Sequence, residues 1–107
     1  MPKKKTKKVR SHGPTNMDRQ EFFAWMGEMN PEALIPTGFE AAVAGYLERP
    51  GDAPVFLVDR SKCIKILMSE GMSNEDALEH YYYNILGSYM GENSPQYIEL
   101  IDDFVEK

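Results

Sequence analysis

The chain has few of the residues on which covalent and metal chemistry depend. Cys63 is its single cysteine, and His12 and His80 are its two histidines. One cysteine excludes an intramolecular disulfide and any zinc site built from several cysteines. A Cys63–His80 nucleophile pair is disfavoured, because Cys63 lies on the apolar stripe of its predicted helix and His80 falls off the apolar face of the next. We expect Cys63 to be a buried structural residue.

Phosphate and calcium loops are missing as well. Gly87 and Gly91 are four positions apart but are followed by Glu92, where a phosphate-binding loop needs Lys and Ser or Thr. The sequence contains no Asp-x-Asp spacing of the calcium-binding kind. Its adjacent carboxylates fall on predicted solvent faces of helices rather than in a pocket. We therefore predict a protein that is not an enzyme, with no catalytic residue, no cofactor and no metal.

Long apolar runs are also absent. No stretch approaches the roughly 18 residues that a membrane-spanning helix needs. No signal-peptide apolar region follows the basic start of the chain. We expect no membrane span and a cytoplasmic location.

The charge is divided unevenly along the chain. Lys and Arg number 12 and Asp and Glu number 17, which gives a net charge of −5. Half of the basic residues lie in the first ten positions: Lys3, Lys4, Lys5, Lys7, Lys8 and Arg10. Residues 11–107 thus hold six basic residues against 17 acidic ones, a net charge of −11. Because residues 1–17 also lack an apolar period, we predict a disordered basic arm at 1–17 and one globular domain at 18–107.

Hydrophobic spacing predicts a mainly helical fold. We expect helices over about 18–29, 37–47, 60–70, 74–86 and 95–105. Caps support several of them, with Thr15 or Asn16 before the first helix, Asp59 before the third and Ser73 before the fourth. Thr37 and Glu40 have the spacing of a capping box for the second helix.

One segment is typical of a strand. Val55, Phe56, Leu57 and Val58 form a short β-favouring run between Pro54 and Asp59. Residues 88–90 either continue the preceding helix or form a second short strand beside 55–58. The fold class predicted is therefore mainly α, within the α+β range: a compact domain of four to five helices with one or two short strands.

The tyrosines favour a binding surface on the fourth helix. Tyr81, Tyr82 and Tyr83 are consecutive, so a helix cannot direct all three to one core. Tyr81 and Tyr82 belong to the apolar stripe with Ala77, Leu78, Ile85 and Leu86, whereas Tyr83 is expected to point outward. Exposed tyrosines are enriched in binding surfaces. An ordinary, partly exposed tyrosine is the alternative.

Four segments between residues 34 and 95 follow one another in a specific order: Gly38-Phe39-Glu40-x-Ala42, Asp59-x-x-Lys62-Cys63-Ile64-x-Ile66-Leu67-Met68, Gly71-Met72-Ser73-x-Glu75-Asp76-Ala77 and Asn84-x-x-Gly87-x-Tyr89-x-Gly91-Glu92. In these segments the chain resembles a group of small bacterial and tailed-phage proteins. Ser94-Pro95 stands where the group has Thr-Pro. The basic arm and residues 96–107 lie outside the match. The resemblance implies a common origin and a shared small fold, and it implies no reaction.

The same resemblance indicates where a contact surface would lie. It draws attention to a polar and glycine-containing cluster after the fourth helix, in which Asn84 either caps a backbone end or recognises a partner. We predict that the following residues bind a protein partner: Asp59, Tyr83, Asn84, Tyr89 and Glu92.

These observations favour a small non-enzymatic binding or modulator protein of phage or mobile-element type. Its acidic body would act on a protein partner, such as a host or assembly factor, in the host cytoplasm or in a virion. One alternative is a nucleic-acid accessory protein that uses Lys3, Lys4, Lys5, Lys7, Lys8 and Arg10. A virion or assembly component is another, and association of the chain with itself is compatible with each.

Overall fold

The computed structural model describes residues 14–88 and 91–105. The chain divides into two compact units, Met1–Glu32 and Ala33–Lys107. The first unit contains helix α1, Arg19–Met29. Trp25 and Met26 are its buried side chains, while Met29 at its last position is exposed.

A capping box starts α1. The Asp18 carboxylate accepts a hydrogen bond from the Glu21 N–H at 2.8 Å, and the Glu21 carboxylate accepts one from the Asp18 N–H at 3.1 Å. The prediction of Thr15 or Asn16 as the cap is therefore wrong. The cap is Asp18, which directly precedes the helix and forms the capping box with Glu21 three positions later.

The second unit is built on a three-stranded mixed sheet in the order β1-β2-β3. The strands are β1, Val43–Arg49, β2, Asp52–Asp59, and β3, Gln96–Ile98. β1 and β2 form an antiparallel hairpin, and β3 pairs with the other edge of β2 in parallel. The predicted strand at 55–58 is confirmed as part of β2, the central strand.

The predicted helix over 37–47 is wrong. Glu40–Ala42 forms one 3₁₀ turn, and the chain then continues as β1. Pro50 and Gly51 make the two-residue turn of the hairpin, with Gly51 at a φ of +80°. Pro followed by Gly suits a turn whose second central residue needs positive φ, so the segment first interpreted as a break joins two paired strands.

The two central helices are confirmed. Helix α2, Arg60–Ser69, is capped at its N-terminus by Asp59, whose carboxylate accepts a hydrogen bond from the Lys62 N–H at 3.2 Å. Helix α3, Asn74–His80, begins at Ser73, whose hydroxyl accepts the Asp76 N–H at 3.1 Å. Gly71 lies between them at a φ of +105°, where a left-handed residue closes α2.

The predicted last helix over 95–105 is also wrong. Gln96–Ile98 pairs with β2, with Val58 opposite Tyr97, and the chain then makes a 3₁₀ turn at Ile101–Asp103. The acidic residues that follow Ile98 oppose a helix here, because negative charge near a helix C-terminus is unfavourable. The strand that pairs with the second edge of β2 is therefore β3. The other candidate for that strand was residues 88–90, of which residues 89 and 90 lie outside the described part of the chain.

The fold class is accordingly α+β, and a four- to five-helix domain is not supported. Residues 14–88 and 91–105 contain three α-helices, a π-helical extension of α3 and the three-stranded sheet. In the second unit α2 contacts α3 and β2. The buried hydrophobic residues of this unit are Phe39, Ala42, Val43, Val55, Phe56, Val58, Cys63, Ile64, Leu67, Ala77, Tyr81 and Ile85. In the described part of the chain, no helix has the length and apolar character to cross a membrane.

Candidate protein-binding surface

A π-helix follows α3 without a break. It spans Tyr81–Leu86, and its wide turn is closed by the Gly87 N–H, which donates to the Tyr82 carbonyl at 3.1 Å. A π-helix is rare, and single π turns within α-helices are frequent at functional sites. This element carries two of the five predicted contact residues, Tyr83 and Asn84.

Gly87 is required where the π-helix ends. A Cβ atom at Gly87 would lie 2.9 Å from the Tyr82 carbonyl oxygen and 3.1 Å from that of Tyr83. Backbone atoms cannot move aside as a flexible side chain would. Gly87 therefore ends the π-helix at a position that only glycine fits without a shift of the backbone.

The wide turn changes which side chains are buried. Ala77, Tyr81 and Ile85 form the buried stripe, and Tyr83 is 76 % exposed, as predicted. Tyr82 and Leu86 were expected on the buried stripe, but they are 48 % and 44 % exposed. The prediction for these two is wrong, because the extra residue in a π turn rotates positions that α-helical spacing places on the core.

Asn84 is exposed and bonds along the helix. Its Nδ2 lies 3.2 Å from His80 Nδ1, one helical turn earlier. This contact joins two side chains and involves no backbone group. It does not match the capping role that was the alternative for Asn84. We name the exposed side chains Glu79, Tyr83, Asn84 and Leu86 the Tyr83 surface.

Asp59 is placed differently from the other predicted contact residues. It ends β2, is only 3 % exposed and caps α2 through Lys62. Its carboxylate is used in the fold, so it adds little area to any contact surface.

Glu92 lies near the hairpin end of the sheet. Its backbone carbonyl accepts a hydrogen bond from Arg49 Nη1 at 2.8 Å, and Arg49 Nε donates to the Ala53 carbonyl at 2.8 Å. Its side chain is exposed. Tyr83 and Asn84 thus share one helical element, while the recorded bond of Glu92 ties it to the hairpin. Tyr89 and the basic residues at 3–10 lie outside the described residues.

A cluster around Arg60 was not anticipated from the sequence. The Arg60 guanidinium donates to the Tyr82 hydroxyl from Nε at 3.2 Å and from Nη2 at 3.0 Å. Its Nη1 lies 3.3 Å from Glu99 Oε1, and Ser61 Oγ donates to the same carboxylate at 2.8 Å. The guanidinium also lies 5.7 Å from the Tyr81 ring centroid and 5.4 Å from that of Tyr82.

This cluster joins three parts of the second unit: the start of α2, the π-helix and the segment after β3. Burial lowers the pKa of Arg60, but its hydrogen bonds to Tyr82 and Glu99 outweigh this and leave the pKa above its ordinary value. No short-range spacing signals the cluster, because Arg60 and Glu99 are distant in sequence. Only the parallel pairing of β3 brings them together.

The buried Cys63 thiol and the half-buried Tyr97 phenol remain neutral near pH 7. Burial, and to a lesser extent the Asp59 carboxylate, raises the pKa of Cys63 to about 11. Burial and then Cys63 raise the pKa of Tyr97 to about 12. Since the thiolate is the nucleophilic form, Cys63 in this setting is inert, as expected for a structural cysteine.

The described residues offer no cluster of three or more His, Cys, Asp or Glu side chains that could hold a metal ion. Their recognisable surface chemistry consists of exposed aromatic and aliphatic side chains beside carboxylates. No family model matches the chain, and no curated protein or solved structure matches it significantly.

Proposed function

We propose that this chain is a small non-enzymatic binding protein that acts on a protein partner through the Tyr83 surface. The observation that carries the proposal is that the Tyr83 side chain is 76 % exposed. The backbone that holds it is fixed, because Gly87 lies close to the carbonyl oxygens of Tyr82 and Tyr83. Tyrosine gives a large contact area at a low cost in conformational entropy, and a rigid base lowers that cost further.

The charge around Tyr83 supports a basic partner. Glu75, Asp76 and Glu79 are exposed on α3, the helix that leads into the Tyr83 surface. Residues 11–107 carry 17 acidic against six basic residues. A surface of this sign attracts Lys- and Arg-rich grooves and competes there with nucleic acid.

The biological setting proposed is that of a phage or mobile element. It follows from the resemblance of residues 34–95 to small bacterial and tailed-phage proteins, and it places the partner in a host cytoplasm. A chain of this kind would act by occupying a host or assembly factor rather than by altering it chemically.

Affinity capture from a bacterial host extract tests the proposal. The baits are the full chain, a version that starts at Thr15, Tyr83→Ala and the control Leu47→Ala, which removes an exposed aliphatic side chain from β1. After nuclease treatment, we expect the first two and the control to retain the same protein, and Tyr83→Ala to lose it. Equal retention by Tyr83→Ala, with all baits folded by circular dichroism, would refute the role of the Tyr83 surface.

The Lys-rich start of the chain favours one second candidate, a nucleic-acid accessory protein. Six Lys and Arg residues in the first ten positions would contact phosphates and release counterions. In that case a labelled DNA duplex binds the full chain and not the version that starts at Thr15. Its affinity then falls steeply as salt is raised, because up to six phosphate contacts are lost together.

A further inference from the structure

The segment after β3 contains a group of apolar side chains that are exposed among the described residues. Leu100, Ile101, Phe104 and Val105 are 45 %, 63 %, 65 % and 46 % exposed. Single apolar residues on a surface are ordinary, whereas several in one place mark an interaction site. We name these four the C-terminal apolar patch.

The base of this patch is fixed. The preceding Glu99 carboxylate accepts hydrogen bonds from Ser61 Oγ at 2.8 Å and pairs with Arg60 at 3.3 Å. Ile98, before it, is paired with Asp59 of the central strand. The patch therefore starts from an anchored point of the sheet.

Arg60 also brings an aromatic ring to this point. Its guanidinium donates hydrogen bonds to the Tyr82 hydroxyl and the Glu99 carboxylate at the same time. The half-exposed Tyr82 ring therefore lies near Glu99, where the segment leaves the sheet. Apolar area from the π-helix thus adjoins the start of the patch.

The backbone of the segment is already bonded as a turn. The Asp103 N–H donates to the Leu100 carbonyl at 2.9 Å, and the N–H groups of Phe104 and Val105 donate to the Ile101 carbonyl at 3.2 and 3.0 Å. Ile101 and Phe104 are three positions apart, so a 3₁₀ turn places them on one side. A partner would bind a preformed surface, so less conformational entropy would be lost on binding.

Charge indicates what covers the patch. Asp102 and Asp103 are exposed between Ile101 and Phe104, and Glu99 lies at the base. A complementary surface has an apolar stripe for the four side chains and basic residues on its flanks. An amphipathic helix with Lys or Arg beside its apolar face has this chemistry.

Two other occupants fit less well. A second copy of the chain presents a body with 17 acidic and six basic residues, so two like-charged surfaces would meet. The basic residues of positions 3–10 complement the carboxylates, but Val9 is the only apolar side chain among them. One valine cannot cover four exposed apolar residues.

We propose that the C-terminal apolar patch, with Tyr82, is the docking site for an amphipathic basic helix of a partner protein. The proposal rests on the proposed function, since it names the chemistry of the partner and adds a second contact surface to the Tyr83 surface.

Synthetic peptides test the docking site directly. The probe is a labelled helix of about 18 residues, longer than the length at which isolated helices are marginal, with Leu on one face and Lys on its flanks. Two control peptides replace Lys with Glu, or Leu with Ser. Fluorescence anisotropy with the full chain at about 0.15 M NaCl should show the Leu–Lys peptide binding at least tenfold more tightly than either control.

Substitutions locate the bound peptide. Ile101→Ser combined with Phe104→Ser should weaken binding of the Leu–Lys peptide at least tenfold, while the control Leu47→Ser leaves it within about twofold. All three changed side chains are exposed, and a urea midpoint close to that of the parent confirms that each variant folds. Equal binding of the Leu–Lys and Leu–Glu peptides, or no loss in the double variant, would overturn the proposal.

Self-association is measured in the same samples. Dimerisation of the parent that the double variant abolishes would show a second copy on the patch and would also overturn the proposal. In affinity capture, loss of the partner by Tyr83→Ala but not by the double variant would leave the proposed function standing and remove the docking site. Retention by both variants would remove both.

Discussion

At the scale of single residues, burial sets the chemistry of the second unit. Cys63, Tyr81 and Tyr97 share one region of the core, where the Tyr81 and Tyr97 rings meet edge-on with centroids 5.9 Å apart. Burial raises the pKa of each of them, because an anion there would lose its hydration. Through these groups, the stability of the fold depends on pH in the alkaline range and not in the acidic range.

Stability should fall above about pH 9. In the unfolded chain Cys63 and Tyr97 ionise near their ordinary pKa values of about 8.5 and 10. In the fold they keep their protons up to pKa values of about 11 and 12. Between those limits the unfolded state binds fewer protons, so the free energy of unfolding decreases by up to about 1.4 kcal/mol per pH unit for each group.

Urea unfolding at pH 7, 9 and 10.5 measures this decrease. We expect little change below pH 8.5 and a clear loss above it. Cys63→Ala reduces the alkaline slope because it removes one of the ionising groups, even though it costs stability at every pH. A free energy of unfolding that stays constant from pH 7 to pH 10.5 would contradict this expectation.

Gly87 provides a second test at this scale. Gly87→Ala places a methyl group 2.9 Å from the Tyr82 carbonyl oxygen, so the π turn must shift. We expect the substitution to cost roughly 1–3 kcal/mol, as overpacking usually does. Gly27→Ala is the matched control, because its Cβ meets nothing within 4 Å and Ala favours a helix by about 1 kcal/mol over Gly.

Denaturant midpoints separate the two glycines. Gly87→Ala should lower the midpoint and Gly27→Ala should leave it unchanged or raise it. If both variants unfolded at the parent midpoint, the close approach at Gly87 would not matter to stability.

At the scale of elements, local signals determined which parts of the fold could be predicted. Helices α2 and α3 follow from their own caps, Asp59 and Ser73, and from apolar residues at helical spacing. The strands β1 and β3 depend on β2, which supplies the hydrogen bonds for both edges. Their sequences also fit a helical period, and only their pairing with β2, through a tight hairpin for β1 and across a long sequence separation for β3, decides against it.

The candidate site divides in the same way. The outward direction of Tyr83 follows from three consecutive tyrosines on a helix. The exposure of Tyr82 and Leu86 depends on a wide turn that α-helical spacing does not reveal. The Arg60 cluster joins residues of three elements, so no reading of one segment predicts it.

Asp59 tests how far an element depends on its cap. Asp59→Ala removes the acceptor for the Lys62 N–H at the start of α2 and should cost about 1–2 kcal/mol. Asp59→Asn keeps an oxygen at that position and should cost much less, since Asn caps helices about as well as Asp. Thermal unfolding of the two variants beside the parent measures the difference. Equal losses would show that the carboxylate charge matters more than the cap.

At the scale of the whole molecule, the most marked feature is the uneven distribution of charge along the chain. Six basic residues occupy positions 3–10, and residues 11–107 hold the entire set of 17 acidic residues. The two exposed surfaces described for the second unit, around Tyr83 and after β3, both include carboxylates. A basic partner is therefore favoured at either surface. The same excess of acid repels itself within the folded body.

Salt should therefore stabilise the acidic body. For a version that starts at Thr15, raising NaCl from about 0.02 to 0.5 M screens the repulsion and should raise the free energy of unfolding by on the order of 1 kcal/mol. The Arg60–Glu99 pair acts the other way, but one partly exposed pair contributes about 1 kcal/mol at most. The full chain should gain less from salt if its basic residues already neutralise the body, and an equal gain in both versions would show that they do not. Sodium sulfate in place of chloride, at matched ionic strength, separates screening from the general strengthening of apolar burial.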